Sequence, residues 1–261
     1  MPPPSDPHES AKPVVVVTGT SRGLGAELVA QFRAGGAHRV VSCMRDVGRP
    51  SPSGQAAVLP DDADPDFDLV RLDVADASTF GALRDRLAEL DAAGSKVSVL
   101  FNNAGVAPGR DCALGGVDYD AWRVALDVNV CGATRVLECV LPHLADDAKV
   151  VNVSSGLGSI ARVMGGGFNT LTQDIIYRTS KAALNMATAC AAAELRRAKP
   201  GVAIVAMDPG WVNTDMGSRG GTVKPPLEAR ESVEGMMAVA RGLSAEDSGK
   251  FLSWKGEEMP W

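Results

Sequence analysis

Histidine is scarce in this chain. The three present, His8, His38 and His143, do not cluster, and none lies beyond position 143. A serine hydrolase running Ser…Asp…His is therefore excluded for Ser154-Ser155. The first glycine of G-x-S-x-G is also missing there, because Val153 occupies its place. Metal-dependent chemistry lacks its ligand clusters. Cysteine stops at five residues, Cys43, Cys112, Cys131, Cys139 and Cys190, an odd number with no C-x-x-C pair. That argues against a disulfide framework or a zinc site and for reduced thiols, buried or partly buried. There is no basic surplus: the formal net charge is -6. Sequence-independent binding of nucleic acid is disfavoured, although a local basic patch around one phosphate remains open. No apolar run approaches the roughly 18 residues that span a membrane. The start, Met1-Pro2-Pro3-Pro4-Ser5-Asp6-Pro7, has no basic stretch leading into an apolar one and is not a secretory signal. Residues 1–12 read as a disordered leader, and the expected compartment is the cytosol. Aromatic residues make up only 5% of the chain. With alanine, glycine and valine abundant, that suits a sheet closely covered by helices.

What is there is a regular alternation. The 261 residues have one continuous globular composition, which fits a single domain over residues 13–261. Pro13-Val14-Val15-Val16-Val17-Thr18 is a β-branched run suited to a strand buried on both faces. Ala26 to Phe32 reads as a helix closed by Gly35-Gly36. Further strands are expected at residues 39–44, 68–73, 97–101, 150–153 and 202–206, with a short last one near 250–254. Helices are expected at 78–90, at 118–144 with an interruption near Pro142, at 177–197 and near 227–242. Residues 46–66, rich in proline, serine, glycine and aspartate, read as a surface excursion. The alternation predicts an α/β, doubly wound Rossmann fold: a parallel sheet of about seven strands with helices on both faces. Ligands on such sheets bind at the carboxyl ends of the strands, where the winding reverses.

Directly after the first strand comes Thr18-Gly19-Thr20-Ser21-Arg22-Gly23-Leu24-Gly25. It is neither G-x-G-x-x-G nor a P-loop, but the physics is shared. Glycines let the backbone turn tightly and approach a pyrophosphate, and the helix that follows offers N–H groups and a positive dipole end. A plain strand–helix turn is the alternative. The end of the second strand, where a dinucleotide's ribose is read, carries Met44 and then Arg45, with no acid to repel a 2′-phosphate. Arg45 can clamp that phosphate, and Arg22 can supply a second positive charge, so NADP(H) is expected over NAD(H). Arg45 as a solvated loop residue is the alternative, and Asp46 facing the ribose would weaken the preference. Asp73, followed by Val74, can accept from an adenine amino group or cap the next segment.

Tyr177-Arg178-Thr179-Ser180-Lys181 opens a helical stretch, and residues four apart share one helix face. A neighbouring ammonium favours a phenolate and brings tyrosine, ordinarily near pH 10, closer to the working range. Asn152-Val153-Ser154-Ser155 ends the fifth strand. Asn102-Asn103-Ala104-Gly105 ends the fourth. Asn129 lies inside the long helical stretch, where asparagine carries a propensity cost or serves as a satisfied buried polar group.

Together these segments resemble the short-chain dehydrogenase/reductase family over about residues 13–215. The matching pieces are T-G-x-x-x-G-x-G at residues 18–25, N-N-A-G at 102–105, the helical Asn129, the strand-end Ser155 and Y-x-x-x-K at 177–181. Pro209-Gly210, Val212 and Thr214 match the family's segment near the nicotinamide. Within the family, residues 177–185 and 209–216 and the ending Met259-Pro260-Trp261 resemble the carbonyl reductases of the sniffer and C-factor type, where NADPH use is typical.

The resemblance implies a mechanism and a residue set. Asn129, Ser155, Tyr177 and Lys181 would be catalytic: Tyr177 the proton donor to a carbonyl oxygen, Ser155 its hydrogen-bonding partner with Ser154 as fallback. Lys181 would lower the Tyr177 pKa and hold the nicotinamide ribose, and Asn129 would fix a water leading to solvent. Gly19, Ser21, Arg22, Gly23, Leu24, Gly25, Arg45, Asp73, Val74, Asn103, Ala104, Gly105, Tyr177, Lys181, Pro209, Gly210, Val212 and Thr214 would hold the NADP(H). The expected partner is a small carbonyl or alcohol substrate, with no nucleic acid and no membrane. The stretch from Gly156 to Ile176 is longer than usual and reads as substrate wall. Asp208 stands where close relatives often carry histidine. Residues 211–226 read as a mobile lid. The small-residue run at 187–193 suits packing on its own sheet or, as in relatives, pairing into a dimer or tetramer. A dinucleotide-sensing or signalling protein without catalysis is the rival on the same fold.

Overall fold

The computed structural model describes residues 11–47, 64–110, 112, 114–165 and 174–261. The leader and most of the 46–66 excursion lie outside the described residues.

Seven strands form one parallel sheet in the order β3-β2-β1-β4-β5-β6-β7. They are β1 (Val14–Thr18), β2 (Arg39–Met44), β3 (Phe67–Arg71), β4 (Val97–Asn102), β5 (Leu144–Val153), β6 (Ala203–Asp208) and β7 (Phe251–Ser253). The winding reverses between β1 and β4, which opens a crevice at their carboxyl ends. The helices are α1 (Gly23–Gly35), α2 (Phe80–Ala92), α3 (Tyr119–Leu126), α4 (Ala133–Val140), α5 (Ile160–Met164), α6 (Ile175–Ala198) and α7 (Ala229–Gly242).

The valine run explains the layering. Side chains alternate across a strand, so Val14 and Val16 enter one core with Leu83, Val136 and Leu195. Val15 and Val17 enter the other with Leu28, Phe32 and Met236. A strand apolar at every position is what two such cores require. Helix α1 stops where the alternating pattern said it should: Gly36 takes φ +63° and its N–H returns to the Arg33 carbonyl.

Three expectations need correction. The break in the 118–144 helical stretch is not chiefly at Pro142. Residues 127–132 form a π-helical turn between α3 and α4, and Pro142 only sits in the closing 3₁₀ turn. The third strand ends at Arg71, not Asp73; the Leu72 N–H still donates to the Met44 carbonyl, and the Asp73 carboxylate accepts from the Ala75 N–H at 3.0 Å. Cys131 and Cys190 are exposed, on the outer sides of their helical segments, whereas Cys43 and Cys139 are buried.

A buried polar chain locks the centre of the sheet to α4 and α6. The Asn102 side-chain amide donates to the Ala133 carbonyl (3.1 Å) and to Asn152 Oδ1 (2.9 Å). Asn152 Nδ2 donates to Thr188 Oγ1 (2.8 Å), which donates to the Leu184 carbonyl (2.8 Å). Removing one member strands its neighbours in a dry interior. Asn152→Ala is expected to cost about 2–3 kcal/mol in denaturant unfolding; a loss below about 0.5 kcal/mol would show that the chain carries no such load.

Candidate active site

The glycine-rich turn after β1 is pinned from two sides. The Thr18 hydroxyl accepts from the backbone N–H groups of Asn103 (3.1 Å) and Ala104 (3.0 Å). Asn103 Nδ2 donates back to the carbonyls of Thr18 and Gly19. On the other flank the N–H groups of Gly19 and Thr20 both donate to the Cys43 carbonyl, and Thr20 Oγ1 accepts from Ser42 Oγ at 2.8 Å. The turn therefore lies against the ends of β4 and β2 together. Gly19, at φ +70°, runs so close to Ala104 that a Cβ would lie 2.7 Å from its Cα. Gly25 is closer still: a Cβ there would sit 2.2 Å from the Gly19 carbonyl oxygen. Its role is packing the helix onto the turn, behind the cleft wall.

A cleft of about 620 Å³ opens above these strand ends. It gathers Gly19, Ser21, Arg22, Gly23, Leu24, Arg45, Asp73, Val74, Asn103, Ala104, Gly105, Tyr177, Lys181, Pro209 and Thr214 of the expected residues. Gly210 and Val212 do not line it. They shape its rim instead, Gly210 with φ +82° against Leu227 and Trp254, and Val212 bridged to Leu227. The cleft is also lined by Met44, Asp46, Leu72, Val106, Val128, Val153, Ser154, Asp215 and Met216, whereas Ser155 and Asn129, expected to be catalytic, are not among its lining residues. Asp73 lines the cleft while its carboxylate caps the Ala75 N–H.

At the inner end, α6 carries Tyr177 and Lys181 on one face. The ammonium is buried and donates to the Val153 carbonyl, the last residue of β5, at 2.8 Å. It lies 5.7 Å from the Tyr177 ring centre. The Ser155 hydroxyl hydrogen-bonds the Tyr177 phenol and accepts from the Leu157 N–H at 3.2 Å. Ser154 is committed elsewhere, donating to Asn185 Oδ1 at 2.6 Å. The two serines are placed differently: Ser155 meets the phenol, whereas Ser154 lines the cleft while its hydroxyl is given to Asn185. Asn129, in the π-helical turn, brackets Val106 with its Oδ1 and Nδ2 (2.8 and 2.9 Å) and donates to Ser180 Oγ at 2.9 Å. Ser180 in turn donates to the Tyr177 carbonyl at 2.8 Å. A Cβ on Gly105 would lie 3.3 Å from Asn129 Oδ1 and 3.6 Å from Lys181 Nζ. A side chain there would press on the Asn129 amide.

Burial dominates the electrostatics. It pushes the Tyr177 phenol up to about 12, against the hydrogen bond from Ser155; the Asp208 and Asp174 carboxylates raise it further, and Arg110 opposes them. Burial pulls Lys181 down to about 8. The phenol is thus raised, not lowered as the Tyr–Lys spacing suggested. Asp208 is also held above the usual carboxylate range by burial, despite N–H donors from Gly156 and Gly210 and the nearby Arg162 guanidinium.

The family model described as short chain dehydrogenase matches residues 13–222. Among curated proteins, the chain is 42% identical over 167 residues to the C-signal of Myxococcus xanthus, covering 63% of this chain and 93% of that protein. Among solved structures, it is similar to the NADPH-bound carbonyl reductase from chicken fatty liver (TM-score 0.83, 31% identity, 96% of this chain and 99% of that one). It is also similar to the carbonyl reductase Sniffer of D. melanogaster (TM-score 0.79, 27% identity, 96% and 100%).

The lowered lysine makes a stability prediction. Below about pH 8 the folded protein holds a desolvated ammonium. Between about 8 and the ordinary 10.5 the unfolded chain binds the extra proton, so this group's contribution to stability rises with pH through that window. The full displacement is worth about 3 kcal/mol, less the bond to Val153. Lys181→Met is therefore expected to stabilise the cofactor-free protein by about 1–2 kcal/mol at pH 7, with the gain fading toward pH 10. Melting curves of both proteins across that range test it; a variant less stable at every pH would contradict it.

Proposed function

The chain belongs to the short-chain dehydrogenase family, and on that premise we propose that it is an NADPH-dependent carbonyl reductase with Tyr177 as its general acid. The observation that carries this reading is that Tyr177 and the buried Lys181 ammonium line the inner end of a glycine-lined cleft, with the Ser155 hydroxyl meeting the phenol.

The cleft's chemistry fits NADP(H). Gly19 and Gly23 adopt positive φ and carry no side chain toward the space a pyrophosphate needs, at the start of α1. Arg22 and Arg45 stand in the same cleft, suited to a 2′-phosphate, with Asp46 lining it beside them as the opposing charge. When bound, the nicotinamide supplies the hydride to the carbonyl carbon. The protein's own residues do the rest. Tyr177, protonated throughout the neutral range, donates its hydroxyl proton to the carbonyl oxygen. The Ser155 hydroxyl, fixed by Leu157, hydrogen-bonds the same oxygen as charge gathers there. Lys181, its ammonium 5.7 Å from the centre of the phenol ring, would hold the nicotinamide ribose. Asn129 holds Val106 and, through Ser180, the first turn of α6. Residues 211–226, a succession of turns that contributes Thr214, Asp215 and Met216 to the cleft, act as its lid.

The name of the C-signal relative keeps a second reading in view, a signalling or dinucleotide-sensing protein. The joint presence of Ser155, Tyr177 and Lys181 favours the enzyme, since sensing does not require a proton donor. An NADPH oxidation screen across aldehydes, ketones and diketones separates the two.

Tyr177→Phe is expected to lower kcat by at least about 100-fold while leaving the NADPH Kd within about threefold. Turnover near the wild-type level would remove Tyr177 from the proposed role. Coenzyme titrations followed by fluorescence are expected to show NADPH bound about tenfold or more tightly than NADH; tighter binding of NADH by the wild-type protein would refute the NADP(H) assignment.

A further inference from the structure

Arg22 is not waiting in open solvent for an anion. Its Nη1 donates to Asp215 Oδ2 at 2.9 Å, a contact that joins the glycine-rich turn to the lid across 193 residues. Both side chains line the cleft, and Met44, Arg45 and Asp46 line it with them. The paired N–H donors from Gly19 and Thr20 to Cys43 hold the turn against the end of β2. Arg22 and Arg45 are therefore each two residues from that junction. Any phosphate seated between them arrives next to the Asp215 carboxylate.

We propose that Asp215 competes with the coenzyme's 2′-phosphate for Arg22, and so sets both the affinity for NADP(H) over NAD(H) and the release of the lid on binding. The inference rests on the NADP(H) reading above. Its physics is substitution of one anion for another. A guanidinium offers its planar fork to one carboxylate or one phosphate edge at full strength. A phosphate carries more charge than a carboxylate and offers more acceptor oxygens, so it wins the exchange. Asp215, once displaced, faces a like charge and is driven away from the turn. Thr214 moves with it, and Thr214 is the residue packed over Gly23, its Cγ2 lying 3.3 Å from where a Cβ would be. The exchange is feasible because the pair is exposed: the side chains are 49% and 38% accessible, and such pairs are weak and easily broken. NADH, without the 2′-phosphate, leaves the pair intact.

The test is isothermal titration of NADPH, NADH and the fragment 2′,5′-ADP into the full chain and its variants. Asp215→Asn is expected to tighten NADPH and 2′,5′-ADP by about threefold to tenfold and to leave NADH within about twofold. In an Arg22→Gln background the same substitution is expected to bring no more than about a twofold gain, because the contested guanidinium is gone. If Asp215→Asn leaves NADPH unchanged, or weakens both coenzymes alike, while wild type still prefers NADPH, the competition is overturned and the NADP(H) reading stands. If the gain persists in Arg22→Gln, Asp215 acts by general repulsion and the exchange at Arg22 is rejected. If wild type prefers NADH, the NADP(H) reading fails and takes this inference with it.

Discussion

The Lys181 ammonium, taken out of water and given the Val153 carbonyl as its one hydrogen-bond acceptor among the described residues, is the contact on which the site depends. It fixes the start of α6 against the carboxyl end of β5. It thereby decides where Tyr177 stands and which serine it meets. The approach is close: a Cβ on Gly158 would lie 2.9 Å from the backbone and Cβ of Lys181. A cation in that position costs stability, which the fold offsets with the Asn102–Asn152–Thr188 chain a few residues further along the same helix and strands. The site and the strongest polar lock in the core are two ends of one interface.

Much of this was legible in the sequence, for identifiable reasons. The valine run of β1 and the Gly35-Gly36 stop encode local geometry, and local geometry is what a sequence writes most directly. The Tyr177–Lys181 spacing needs only a helix to become a face. What the sequence could not order is what depends on contacts from far along the chain. Ser154 and Ser155 are chemically alike, and it is Asn185, reaching over from α6, that takes up the Ser154 hydroxyl. The π-helical turn carries no residue signature of its own. It holds Asn129 where its side chain brackets the Val106 backbone, a pairing that no local pattern announces. Asp215 was visible as a residue of the nicotinamide-side segment, but its partner lies 193 positions away. Cys131 and Cys190 went the other way: cysteine's usual burial misled, because composition does not say which side of a helix a residue occupies.

Glycine shows how the two kinds of information meet. The spacing Gly19, Gly23, Gly25 reads as one motif, yet the three do different work. Gly19 and Gly23 supply positive φ at the turn. Gly25, without it, supplies only the missing Cβ that lets α1 press onto the turn's own backbone. Alanine would fail at Gly19 through both strain and collision, and at Gly25 through collision alone.

The phenol's environment sets what the chemistry must overcome. With burial and two carboxylates, Asp208 and Asp174, all favouring the neutral form, Tyr177 holds its proton well above neutral pH, and Arg110 offsets only part of that. A phenol raised in this way is a weaker acid, and giving up its proton leaves a buried phenolate between two acids. The same phenolate is the base from which the reverse transfer starts, so the cost is common to both directions. Burial likewise draws Lys181 down to about 8. Whatever stabilises the phenolate has to act against the desolvation of both partners, and the Tyr–Lys spacing suits either direction.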